Sequence, residues 1–273
     1  MYRSLLVHLD DGEHGAAHAE VARQLARRFG AHLVGLAPVG RMPVSMSFAA
    51  TAALADAMDA VRARAQRRAD DFVADCHAAG LTSVEALADD EDAVVSLVEH
   101  AHCSDLLILG QGELPDASIA VEQVVLMSAR PTLVLPWAGR VQTLGERVLV
   151  AWNGSPEAAR AVADAMPLLC QAREVTVMRC EPPGTDLDDL GGLMRERLEA
   201  LRRWLMWHGV DAQVRLEAST VDAGNELLSR AADLGADLLV MGAWGRPRWT
   251  ERVLGGATRT LLRSMTLPVL MSH

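Results

Sequence analysis

The stretch that decides the fold is Asp237-Leu238-Leu239-Val240-Met241-Gly242-Ala243-Trp244-Gly245, continued by Arg246 to Leu254 and then by Gly255-Gly256-Ala257-Thr258. Five consecutive residues from Asp237 to Met241 are apolar apart from the first, which is the pattern of a strand buried on both faces and therefore of a parallel sheet. Glycines stand where that strand leaves the sheet and again where the next helix opens. Such positions allow positive φ and close backbone approach, and unpaired amides at a helix N-terminus face an anion.

The same signal occurs earlier in the chain. Ser104-Asp105-Leu106-Leu107-Ile108-Leu109-Gly110 matches Ala236-Asp237-Leu238-Leu239-Val240-Met241-Gly242, and each is followed by a helix and a final strand that carries proline. Working outward, each copy reads as strand, helix, strand, long helix, strand, helix, strand, helix, strand. In the first copy the strands fall at 4–9, 31–37, 84–87, 105–109 and 131–136, with helices over 15–29, 49–79, 92–101 and 119–127. In the second the strands fall at 147–152, 175–178, 212–216, 237–241 and 268–271, with helices from Pro156, over 188–208, over 221–234 and over 257–264. A repeat this long buries its own core. The prediction is an α/β fold of two tandem five-stranded parallel sheets with helices on both faces, as domains 1–143 and 144–273, with ligands at the carboxyl ends of the strands.

Charge and composition exclude several functions. A formal net charge of −10 and a pI near 5.4 lack the basic footprint of a nucleic-acid binder. Cys76, Cys103, Cys170 and Cys180 have no C-x-x-C or Cys/His spacing, which argues against a zinc site or a redox pair and for reduced thiols. The N-terminus enters a strand directly, and no apolar run is long enough to span a bilayer, so the expected location is the cytoplasm with no membrane partner. His8, His14, His18, His77 and His100 show no metal spacing and read as surface or satisfied groups. No Ser-His-Asp or Cys-His arrangement emerges, and no SGG-x-D-S pyrophosphatase loop follows the first strand of either copy.

With these residues in view, the chain resembles the universal stress protein family in its tandem two-domain form, over nearly its whole length. ATP-binding members of that family carry G-x2-G-x9-G-(S/T) after the fourth strand, and Gly242, Gly245 and Gly255 match that spacing. The resemblance implies a fold of the adenine-nucleotide alpha-hydrolase-like kind and a pseudo-dimer of the two halves, with a homodimer as a further level. It also implies that the second domain binds ATP, with Mg2+, or another adenine nucleotide. Gly242, Gly245, Gly255, Gly256 and Thr258 would cradle the phosphates, Asn153 would meet the ribose, and Met178 and Met241 would flank the base. Two positions depart from the pattern. Gly256 stands where the family has Ser or Thr, with Thr258 one turn further on, and Asn153 stands where ATP-binding members have an acid.

Each of these residues has a second reading. Gly242 and Gly245 also fit a strand-to-loop turn, Gly255-Gly256 fits close approach of a neighbouring strand, and Met178 and Met241 fit core positions. Arg246, Arg248 and Arg252 fit either phosphate contacts or a solvated loop face. Trp204 and Trp207, one turn apart, fit core packing or an interface. In the first domain Asp10 keeps the acid, yet Glu113-Leu114-Pro115-Asp116 follows Gly110 and Gly112, and two acids there repel a polyphosphate. That domain is expected to be nucleotide-free. The function these readings predict is a stress-response protein that binds an adenine nucleotide as a signal, with slow ATP hydrolysis at most. The alternative is a nucleotide-independent protein-interaction module with a decayed site.

Overall fold

The computed structural model describes residues 1–39, 51–111, 117–181, 187–219, 221–244 and 256–273. Its elements are β1 (Ser4–His8), α1 (Gly15–Phe29), β2 (His32–Pro38), α2 (Thr51–Ala78), β3 (Val84–Asp89), α3 (Ala93–Ala101), β4 (Leu106–Gly110), α4 (Ala117–Met127) and β5 (Thr132–Leu135). The alternation then begins again with β6 (Arg147–Ala151), α5 (Pro156–Asp164), α6 (Met166–Leu169), β7 (Glu174–Glu181), α7 (Leu187–Trp207), β8 (Ala212–Ala218), α8 (Ala223–Asp233), β9 (Leu238–Gly242), α9 (Gly256–Ser264) and β10 (Val269–Ser272). The order is the one read from the repeat, with α6 added as a single turn. By contacts the chain divides into two compact units, Tyr2–Gly110 and Gln111–His273, the latter joined by Met1.

In the first unit the strands are ordered β3-β2-β1-β4 and all pair in parallel. Leu5, Leu6 and Val7 are successive residues of β1, and each is fully buried, so both faces of that strand are covered. Helix α1 buries Ala19, Ala22, Leu25, Ala26 and Phe29, the 3.6-residue stripe of a helix lying on a core. It ends at Gly30, whose φ of 60° lets its N–H reach the carbonyls of Ala26 and Arg27, a turn that residues with a Cβ rarely make. Helix α3 opens on Asp92, whose carboxylate accepts the N–H groups of Val94 and Val95.

The second unit carries strands in the order β5-β10-β9-β6-β7-β8. All pairs are parallel except β10 with β5, which is antiparallel with Leu270 opposite Leu133. The strands of the second repeat, β6 to β10, all pair in parallel as expected, and the antiparallel ladder joins the last strand of one repeat to the last strand of the other. A run buried on both faces looks the same in sequence whichever way its neighbour runs. This pairing also explains why the packing boundary after Gly110 differs from the repeat boundary read at 143/144: β5 lies in the first repeat but is hydrogen-bonded to the last strand of the second. Ser155 caps α5 through its hydroxyl, which accepts the Ala158 N–H, and Pro156 follows at the first helical position.

The aspartate shared by the two repeats has a single structural task. Asp105 accepts the backbone N–H groups of Arg3 and Ser4 at 2.6 and 3.1 Å, and Asp237 accepts those of Glu146 and Arg147 at 3.1 and 2.9 Å. Each carboxylate therefore ties the entrance of the fourth strand to the entrance of the first. It sits at the amino end of the sheet, opposite the end where ligands bind.

Candidate functional site

The candidate site is built at the carboxyl ends of β6 and β9. Strand β6 closes with the Trp152 N–H donating to the Met178 carbonyl at 2.8 Å. The chain then turns through Asn153, whose side-chain oxygen accepts the Ser155 N–H at 2.9 Å, and through Gly154 at φ 77°. That local turn places α5 directly after the strand and leaves Asn153 exposed at the rim. Asn153 thus uses its amide oxygen to shape the turn, while its NH2 group is the end left to face a ligand.

Gly242 lies at the end of β9 under the first turn of α5. A Cβ added there would fall 2.4 Å from the Ala158 nitrogen and 2.5 Å from the Glu157 carbonyl carbon. Close helix-to-strand packing alone therefore demands glycine at this position. Beyond it, the Ala243 N–H donates to Ser272 at 2.8 Å, and Trp244 takes the left-handed region at φ 53°. The Trp244 N–H points to the Thr258 hydroxyl at 3.5 Å. Thr258 is 3 % exposed and sits in the first turn of α9, so it links the exit of β9 to the entrance of that helix. Gly256 begins α9, and a Cβ added there would meet nothing within 4 Å among the described residues. Among the described residues the start of α9 is open where the end of β9 is closed. Gly245, Gly255, Arg246, Arg248 and Arg252 lie outside the described residues.

Met178 and Met241 stand one level below the rim. Met178 is paired with Ala151, Ala151 with Met241, and Met241 with Met271, so the three methionines and the alanine form one row across the sheet. Met178 is 1 % exposed and Met241 is 6 % exposed, which makes them the packed layer beneath the strand ends. The structure thus gathers Asn153, Met241, Gly242, Gly256 and Thr258 at the carboxyl end of the unit, with Met178 in the core under them.

A cation absent from the sequence reading stands beside Asn153. Arg179 donates to the Asn153 carbonyl at 3.1 Å and pairs with Glu181, both half-buried or buried on β7. Its signal in sequence was weak, because β7 reads as a short apolar strand ending at Met178 and in fact continues to Glu181. Next to it in sequence, the Cys180 thiol is pushed up to about 11, chiefly by burial and then by the charges of Glu226 and Glu217.

The corresponding corner of the first unit is filled from within. His18 is 7 % exposed and lies against Gly110, where an added Cβ would fall 2.3 Å from its Cε1. Its Nδ1 faces Asp10 across 3.5 Å, and its Nε2 is buried with no hydrogen-bond partner among the described residues. Burial, the largest influence, would raise the Asp10 carboxyl, but the His18 ring, the neighbouring His8 and the Gly12 N–H outweigh it and hold the carboxyl below its ordinary value. Burial pulls His8 below the usual imidazole range. The reading of His18 as a surface or satisfied group is corrected. The turn of α1 that carries His18 is pressed onto β4, and an isolated histidine in sequence gives no sign of that. Glu113 to Asp116 lie outside the described residues.

Comparison with known proteins gives the same architecture. Residues 145–273 match the model of the Universal stress protein family. A universal stress protein from Archaeoglobus fulgidus superposes with a TM-score of 0.74 at 18 % identity, covering 98 % of this chain and 95 % of that one. A putative universal stress protein from Pseudomonas aeruginosa UCBPP-PA14 gives 0.65 at 19 % identity, covering 99 % of this chain and 93 % of its own. A functionally unknown protein from Pseudomonas aeruginosa PAO1 gives 0.65 at 19 % identity, with 99 % and 92 % covered. At these identities the likeness is one of fold. No curated protein matches the chain in sequence, and no helix among the described residues is long and apolar enough to cross a membrane.

Proposed function

With residues 145–273 matching the model of the Universal stress protein family, we propose that the second repeat binds an adenine nucleotide, ATP in the first instance, and that its occupancy serves as a signal in a cytoplasmic stress response. The observation that carries this reading is the pairing of Trp244 with Thr258 beside the open start of α9 at Gly256. A helix N-terminus with free amides and no side chain above it is suited to polyphosphate. Thr258 fixes the spacing between that terminus and the end of β9.

In this arrangement the amides at the start of α9, with Gly245 and Gly255 of the connecting loop, hold the phosphates. The NH2 of Asn153 meets the ribose, and Met178 and Met241 form the apolar floor near the base. Arg179, its charge matched by Glu181, stands at the Asn153 side of the rim, where donation from its guanidinium to a nucleotide oxygen is favourable. Among the described residues no group of three His, Cys, Asp or Glu side chains is arranged to hold a metal ion. Mg2+ would therefore arrive on the phosphates of the nucleotide.

The test is to identify nucleotide released from the purified protein and to titrate ATP against the wild type and Thr258→Val, reading the fluorescence of Trp244 and Trp152. The wild type is expected to bind and the variant to bind at least about tenfold more weakly, ~1.4 kcal/mol. A wild type that fails to bind at millimolar ATP refutes the proposal.

A further inference from the structure

We propose that α7 is a self-complementary docking surface on which a second copy of this chain binds, the two helices running antiparallel about a two-fold axis. Helix α7 turns Leu198, Leu201 and Leu205 inward, each no more than 8 % exposed. The residues preceding them form a second stripe: Leu193, Arg197, Ala200, Trp204 and Trp207, spaced four, three, four and three. That is the period of a seam between two helices. It faces water, with Leu193 56 % and Trp207 78 % exposed. Beside the stripe, α5 contributes only small or short side chains, among them Ala159 and Ala163, and the two helices enclose an apolar groove of about 450 Å³. Trp204 lines the groove and is stacked against His208 at a ring separation of 4.5 Å.

The charges choose the occupant and its direction. Glu196 and Arg203 flank the stripe on one side, seven residues apart, and neither has an ion pair among the described residues, whereas Glu199 and Arg202 are paired with each other. Two parallel copies would place the Glu196 and Arg203 flanks on opposite sides of the seam, where neither meets an opposite charge. Two antiparallel copies set Glu196 of each against Arg203 of the other, forming two equivalent ion pairs, as an isologous contact requires. In the same register Leu193 of each copy meets Trp204 of the other, and the stem of Arg197 lies over Ala200, whose small side chain allows close approach. A helix of 21 residues is ~30 Å long. With the flank of α5 it offers a face on the scale of a standard interface, roughly 800 Å² per partner, centred on tryptophan, a residue enriched at binding hot spots.

The experiment is sedimentation velocity on the full chain at ~100 µM, a concentration that reveals dimers of micromolar affinity. The wild type should sediment at twice the 29.4 kDa of one chain. Glu196→Arg and Arg203→Glu each place two like-charge contacts in the interface and should each sediment as monomers, with unchanged circular dichroism because both positions are exposed. An equimolar mixture of the two variants restores both ion pairs between unlike chains and should return to the dimer. The proposal is overturned by a monomeric wild type, by a dimer that neither substitution weakens, or by a mixture that stays monomeric.

Discussion

Gly242→Ala separates two reasons for keeping a glycine at the end of β9. The new Cβ would lie 2.4 Å from the Ala158 nitrogen, 2.5 Å from the Glu157 carbonyl carbon and 2.9 Å from the Ala158 Cα, all backbone atoms, where ordinary contact begins at 3.4 Å. Strand or helix must therefore retreat by 3.4 minus 2.4, about 1 Å. The retreat acts on a helix that buries Ala158, Ala161 and Val162, so it opens packing along the whole first half of α5. Overpacking of this kind costs about 1–3 kcal/mol. In a domain of this size each kcal/mol moves Tm by about 2–4 °C, which puts the expected fall at roughly 2–12 °C in a thermal melt followed by circular dichroism. Gly256→Ala is the control. No described residue lies within 4 Å of its Cβ, and alanine is the better helix former by up to ~1 kcal/mol, so this variant should melt at or slightly above the wild type. If Gly242→Ala melts with the wild type, the packing argument is wrong. If it also loses ATP binding while keeping its stability, the glycine serves the ligand and not α5.

Two further outcomes follow from the titrating groups. Burial holds His8 below its ordinary value of 6.5, so below pH 6.5 the unfolded chain binds more protons than the folded one, and stability falls with pH until the folded value is passed; in urea melts across that range His8→Gln should show a flatter pH dependence than the wild type, and equal slopes would contradict it. Cys180 at about 11 against an ordinary 9.0 leaves about one thiol in a thousand ionised at pH 8, where an unperturbed group has about one in ten. Native iodoacetamide labelling read by mass spectrometry should therefore mark the exposed Cys103 and Cys170 well before Cys180, and early labelling of Cys180 would contradict this ordering.

The alternation of strands and helices was legible because each element announces itself locally. Leu106 to Leu109 and Leu238 to Met241 are apolar without a break, and only a strand covered on both faces tolerates that. Gly30 and Gly209 stop helices at the left-handed φ values of 60° and 79°, and Asp92 and Ser155 start them with side-chain caps. The antiparallel contact of Leu270 with Leu133 was not legible, since nothing inside either strand encodes the direction of its neighbour. The same limit hid the packing boundary after Gly110.

At the site, spacing merged two uses of glycine. Gly110 and Gly242 occupy the same place in the two repeats, and both lack a side chain because a helix lies against them: the His18 ring in one case and the Ala158 backbone in the other. The helices approach in the same way, but the fourth residue of α1 is a histidine whose imidazole fills the corner, while the third residue of α5 is an alanine that fills nothing beyond its own backbone. What distinguishes the repeats is therefore the side chain that the first helix sends toward the strand end, and not the glycine that ends the strand. Of the glycines described at the second corner, Gly256 alone meets no other described residue within 4 Å. The start of α9, linked to Trp244 through Thr258, is the part of the motif that packing among the described residues does not already explain.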